Sequence, residues 1–169
     1  ANENDTLAFF FALISKNKEI ISTVLKLGQA RLCAPTIEQL AAEQAIDTAD
    51  AYFEQVVQEY DKRRKIVMDG LSQIENVVYG QPKGAFYLIA KLPVQDTDHF
   101  CQWILESFSY KNQTVMLAPA NGFYASEALG KSEVRIAYVL KEDDLQNAME
   151  CLKVALKTYK NLILINIIN

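Results

Sequence analysis

As far as Gly70, apolar residues recur at helical spacing; beyond it they come in short runs bounded by glycine and proline. Residues 7–14 form a continuous apolar run, compatible with a buried strand or part of a buried helix. Ser15 can cap a helix starting near Lys16, with Glu19 in its first turn and a stripe of Ile20, Ile21, Val24, Leu25 and Leu27. Gly28 weakens or bends that helix. A break precedes Pro35, because the residue before a proline is pushed out of the helical region. Thr36 is then a cap for a short helix carrying Ile37, Leu40, Ala41 and Ala45. Asp47 or Thr48 begins the longest helix, to about Gln73, with Phe53, Val56, Val57, Tyr60, Val67 and Leu71 along one stripe. Lys62, Arg63, Arg64 and Lys65 cross it as a basic cluster, which reads as a solvated helix face rather than a phosphate or nucleic-acid site.

After Gly70, residues 77–79, 84–90, 114–118 and 134–140 read as strands, rich in β-branched and aromatic residues. Between the second and third, Asp96 or Thr97 caps a helix through Phe108, with Phe100, Ile104 and Phe108 on one stripe. Glu142, Asp143 and Asp144 open a last helix, where carboxylates favour the N-terminus. Its stripe is Leu145, Ala148, Leu152, Ala155, Leu156 and Tyr159. Helices followed by β-β-α-β-β-α predict an α+β fold: a small mixed or antiparallel sheet covered on one face by helices and preceded by long helices. Residues 161–169 form an apolar tail, too short for a membrane span, that could extend the helix, form a strand or associate with another chain.

The strand at 134–140 carries the candidate chemistry. Alternation puts Val134, Ile136, Tyr138 and Leu140 on one face and Arg135, Ala137 and Val139 on the other. A guanidinium on an otherwise apolar strand face needs a partner for its charge. Its planar fork suits a carboxylate, either an internal one or a ligand's.

Composition narrows the function classes. The chain has 169 residues, 50% of them hydrophobic and 22% charged, as in an ordinary globular protein of one domain, with or without extensions. A net charge of -4 and the lack of a basic tract argue against a nucleic-acid partner. No secretory signal is apparent and no apolar run reaches the length of a membrane span. Cys33, Cys101 and Cys151 have neither metal-ligand nor redox spacing, so a reducing cytoplasm is the expected setting. His99 is the only histidine, which excludes a multi-histidine metal site within this chain. Beside Phe100 on a predicted helix, it reads as a surface or packing residue. Phe86 and Tyr87 read as sheet and core residues, and Phe123 as either a core residue or a loop residue approaching a substrate.

The order of several short motifs adds a resemblance. These are residues 13–19 (LISKNKE), the Pro35-Thr36 break, Arg63-Arg64 in a long helix, and Lys83-Gly84-Ala85-Phe86-Tyr87. Leu117-Ala118-Pro119, Gly122-Phe123-Tyr124 and Val134-Arg135-Ile136-Ala137-Tyr138 follow in the same order. With these motifs the chain resembles the C-terminal, small-domain part of the class I/II aminotransferases, the fold type I enzymes that use pyridoxal phosphate. It is most similar to their aspartate aminotransferase branch.

The resemblance implies that Arg135 binds the α-carboxylate of an amino-acid substrate, aspartate or a related one, as amino groups pass between amino acids and 2-oxo acids. It implies pyridoxal 5'-phosphate in the full-length family, and a homodimer for the full enzyme. Arg31-Leu32-Cys33-Ala34-Pro35 matches a stretch near that dimer interface. The family's Schiff-base lysine lies in a serine-lysine motif followed by G-x-R-x-G. Ser15-Lys16 is followed instead by Asn17-Lys18-Glu19-Ile20, so Lys16 does not match it, and the family's phosphate cup has no counterpart here. The expectation is therefore an altered or disordered segment at 1–12, an aminotransferase C-terminal domain at 13–160 and the tail at 161–169. Such a piece would bind no cofactor and be inactive alone. The alternative is a non-catalytic domain that binds a small carboxylate or a protein.

Overall fold

The computed structural model describes residues 16–30, 35–126 and 129–168, the last five as backbone only. Residues 7–14, Ser15 and residues 31–34, on which several expectations fell, lie outside the described set. The chain forms two compact units, residues 1–54 and 55–169.

The first unit holds α1 (Lys18–Gln29), α2 (Thr36–Ala45) and the start of α3 (Asp50–Ser72). Both predicted caps are corrected. Asn17, not Ser15, caps α1: its side-chain oxygen accepts from the backbone N–H of Glu19 at 2.9 Å and of Ile20 at 3.3 Å. Asparagine is among the best residues for that position, so the helix begins two residues later than the serine implied. Pro35, with φ −58° and ψ 143°, occupies the N-cap of α2 and draws Thr36 inside the helix. The stripe of α1 is where periodicity put it, yet Ile20, Ile21, Val24, Leu25 and Leu27 are all exposed.

The second unit contains the rest of α3, β1 (Val78–Tyr79), β2 (Tyr87–Lys91), α4 (Thr97–Glu106), β3 (Ala118–Pro119), β4 (Glu133–Ala137) and α5 (Glu142–Ile168). The sheet order is β1-β2-β4-β3 and every pairing is antiparallel, which decides between the mixed and antiparallel alternatives. The strands are shorter than predicted. Ala85 adopts φ +60°, so residues 84–86 form a loop leading into β2. That loop is still anchored: Tyr138 donates its backbone N–H to the Phe86 carbonyl at 2.9 Å and its hydroxyl to the Ala85 carbonyl at 3.2 Å. The tail continues α5 as helix to Ile168.

One face of the sheet is buried. Leu88 and Ala90 of β2 and Val134 and Ile136 of β4 join Val67 and Leu71 of α3, Phe100 and Ile104 of α4, and Leu145, Leu152 and Leu156 of α5 in one core. Gly70 lets α3 and α5 approach closely, because a Cβ there would lie 2.5 Å from Cβ and Cγ of Met149. Thr97 is fully buried, its hydroxyl bonded to the carbonyls of Lys131 at 3.1 Å and Glu133 at 3.0 Å. It ties the start of α4 to the start of β4. The basic cluster on α3 is only partly a solvated face. Lys62 and Lys65 are exposed, whereas Arg63 donates to the Val139 carbonyl and Arg64 to the Pro82 carbonyl. Among the described residues, no helix is long and apolar enough to cross a membrane.

Candidate functional site

The opposite face of the sheet is the one that bears Arg135. Burial along β4 alternates as the sequence implied, with Val134 and Ile136 buried and Arg135 and Ala137 exposed. Among the described residues of that second face, Tyr87, Lys91, Arg135 and Ala137 are exposed. In the ladder Arg135 lies between Ile89 of β2 and Ala118 of β3, so its stem rests among apolar neighbours.

Two rings hold its head group. The guanidinium carbon lies over the Phe123 ring at 4.9 Å and over the Tyr87 ring at 5.4 Å from the centroids. Tyr87 reaches it diagonally, from the position opposite Ala137. Phe123 reaches it from a 3-10 turn, Asn121–Phe123, that follows β3. Among the described residues, Arg135 has neither an ion pair nor a hydrogen bond with a carboxylate, so it does not meet an internal carboxylate there. Guanidinium-over-ring contacts position the group without neutralising it.

The 3-10 turn is braced at both ends. Asn121 donates its side-chain amide to Asp98 at the start of α4 and accepts from the Gly122 N–H at 2.8 Å. Tyr124, the next residue after the turn, donates its hydroxyl to the Glu133 carboxylate at 2.5 Å. That acceptor raises the Tyr124 hydroxyl above the usual phenol range. Gly130 adopts φ +76°, and a Cβ on it would lie 2.7 Å from the Tyr124 ring. Glycine is therefore required there for both backbone and space.

Not every candidate lies beside Arg135. Phe86 and Tyr87 were expected as sheet and core residues; Tyr87 is in β2, but the two are 48% and 40% exposed rather than in the core. Phe123 is on the surface against Arg135 rather than in the core. His99 packs through Nδ1 against the Tyr159 hydroxyl at 2.7 Å. Lys16 is exposed and belongs to the first unit. Among the described residues, clefts lie away from Arg135. One, of about 430 Å³, lies between α3 and α5 beside Gly70 and Glu150. Another, of about 380 Å³, is lined by Tyr60, Arg64, Lys83 and Phe86. Sequence reasoning missed the clasp by Tyr87 and Phe123 and the Tyr124–Glu133 bond. The available signal was alternation, which places Tyr87, Glu133 and Arg135 on one face.

An antiparallel sheet with helices on one face and an arginine between aromatic rings on the other defines a layered α+β domain with a candidate carboxylate site. Residues 11–152 match the family described as aminotransferase class I and II, and the chain belongs to that family. The aspartate aminotransferase of Geobacillus stearothermophilus is 31% identical over 141 residues, 79% of this chain and 33% of that protein. The solved aspartate aminotransferase of Thermotoga maritima superposes with a TM-score of 0.64 at 27% identity, over 83% of this chain and 34% of that one. The α-aminoadipate aminotransferase of Thermus thermophilus, solved with N-(5'-phosphopyridoxyl)-L-leucine, shares the fold with a TM-score of 0.72 at 21% identity, over 86% and 37% of the two chains. The chain thus spans about a third of the length of the relatives it matches.

Proposed function

We propose that this chain supplies the carboxylate-binding part of a pyridoxal-phosphate-dependent aminotransferase acting on aspartate or a related amino acid and a 2-oxo acid. The observation that carries it is the Arg135 guanidinium, held by Phe123 and Tyr87 and unmatched by any carboxylate among the described residues. A guanidinium presents a rigid fork of donors to a carboxylate, so a bound amino acid would be fixed in direction as well as place. Fixing the substrate in this way contributes to catalysis through orientation.

The residues around Arg135 do not fit the cofactor itself. The side chains in contact with Arg135 are two rings and apolar positions, the amine on the same face, Lys91, lies opposite Glu133, and no glycine-rich loop cradles a phosphate among these residues. When bound, the cofactor supplies the electron sink for amino transfer; in a protein of the relatives' length, regions beyond this third would hold it. On this reading the 169-residue chain binds a carboxylate and does not transaminate alone, and the full enzyme works as a homodimer in the cytoplasm.

The test is a titration of the ¹⁵N-labelled chain with 2-oxoglutarate, aspartate and a neutral amide control, following the Arg135 side-chain Nε–H resonance. Saturable shifts with the carboxylates, absent in Arg135→Ala, are expected. Equal shifts in both proteins, or none in either, would overturn the reading. Borohydride reduction after adding pyridoxal phosphate should leave no lysine stoichiometrically labelled.

A further inference from the structure

We propose that Tyr124 holds the Glu133 carboxylate away from Arg135, and so keeps the Arg135 guanidinium open to a ligand carboxylate. The inference rests on the carboxylate-binding reading above and concerns how that site stays available.

Glu133 and Arg135 are two residues apart on β4 and point to the same face. Their Cα atoms are separated by about 7 Å in an extended strand, a gap that glutamate and arginine side chains together span. Glu133 is therefore a ready internal competitor for the guanidinium. It is engaged elsewhere: its Oε2 accepts the Tyr124 hydroxyl. Lys91 lies directly across the ladder from Glu133 without forming an ion pair to it. The phenol thus occupies the carboxylate without cancelling a nearby positive charge.

The geometry of the turn makes this a joint device. Phe123 and Tyr124 are consecutive; one lies on Arg135 and the other bonds Glu133. The Asn121–Asp98 hydrogen bond fixes the turn from the α4 side. Gly130, the residue whose Cβ would strike the Tyr124 ring, seats the phenol from the other. Placing the turn therefore places the ring on the guanidinium and removes its competitor together.

The experiment compares 2-oxoglutarate binding to the full chain and to Tyr124→Phe, Glu133→Gln and the double variant. Trp103 fluorescence checks that each remains folded. Tyr124→Phe frees Glu133 and should weaken binding about three- to five-fold, the worth of one exposed ion pair in competition. The double variant, with no carboxylate to release, should return to within about two-fold of the starting affinity, and Glu133→Gln alone should bind at least as well as the parent. An unchanged Tyr124→Phe, or a double variant as weak as Tyr124→Phe, overturns the proposal; the second result would assign the effect to packing of the turn. A ligand-free readout separates this outcome from failure of the functional reading. The Arg135 Nε–H resonance should move in Tyr124→Phe and move back in the double variant, whether or not the chain binds 2-oxoglutarate. No movement in Tyr124→Phe rejects the inference by itself.

Discussion

Replacing Arg135 with alanine tests which partner the strand guanidinium has. The substitution removes two ring contacts, at 4.9 and 5.4 Å. At exposed sites each is worth about 0.5–1 kcal/mol, so the unfolding free energy should fall by about 1–2 kcal/mol. A guanidinium buried against an internal carboxylate would behave differently, since breaking such a pair costs about 3–5 kcal/mol, whereas an exposed pair is worth about 0.2–1 kcal/mol. Urea denaturation separates the buried pair from the ring contacts, and 2-oxoglutarate binding separates the exposed pair. Trp103 is the only tryptophan and packs against Phe100, Phe108 and Tyr159 of the same unit, so its fluorescence reports the unfolding of that unit. A loss above about 3 kcal/mol would refute the argument that Arg135 is left unpaired, because ring contacts alone cannot supply it. A small stability loss combined with abolished 2-oxoglutarate binding is the expected result.

Two further outcomes follow from the packing. Gly70→Ala gains about 1 kcal/mol of helix propensity, but its Cβ would sit 2.5 Å from Met149, and overpacking of that kind costs about 1–3 kcal/mol. The net should be a destabilisation of up to about 2 kcal/mol in urea denaturation; a variant clearly more stable than the parent would contradict the close approach of α3 and α5. Cys101 is buried, and burial, helped by the nearby Asp98 charge, pushes its thiol up to about 11. Iodoacetamide at pH 8 should therefore leave Cys101 unmodified in the native chain and label it in urea, as read by peptide mapping; rapid native labelling would contradict the burial.

What the sequence made legible is what short-range pattern encodes. Alternation identified the β4 region and divided its two faces correctly as far as Tyr138, because a period of two is a local property; Leu140, placed with the buried face, lies beyond the strand and is exposed. The stripes of α3, α4 and α5 likewise picked out Val67, Leu71, Phe100, Ile104 and Leu152, all of which are in the core. Capping was one to two residues off where two good candidates adjoin, as with Ser15 and Asn17, or Pro35 and Thr36. Strand starts were misjudged where a residue takes an unusual backbone conformation: nothing about Ala85 announces φ +60°. Face assignment for the aromatics was the larger miss. Phe86 and Tyr87 were read as core residues because aromatic side chains in strands usually are, yet hydrophobicity cannot say which face of a sheet the helices leave bare. Both faces of β4 contain apolar residues, and only the three-dimensional placement of the helices chooses between them.

That bare face explains why the site uses rings rather than acids to hold its arginine. A carboxylate beside Arg135 would position the guanidinium and satisfy it at once, leaving no charge to recognise a ligand. Phe123 and Tyr87 hold the guanidinium through uncharged rings, whereas a ligand carboxylate would bind its N–H donors. Positioning thus leaves the charge of the side chain unmatched. The same reasoning makes Glu133 the residue that most threatens the arrangement, since it is the acid on Arg135's own strand face and within reach. A site built this way needs its neighbouring acid restrained by a neutral donor, and the Tyr124 hydroxyl, a phenol that is uncharged at neutral pH, meets that requirement.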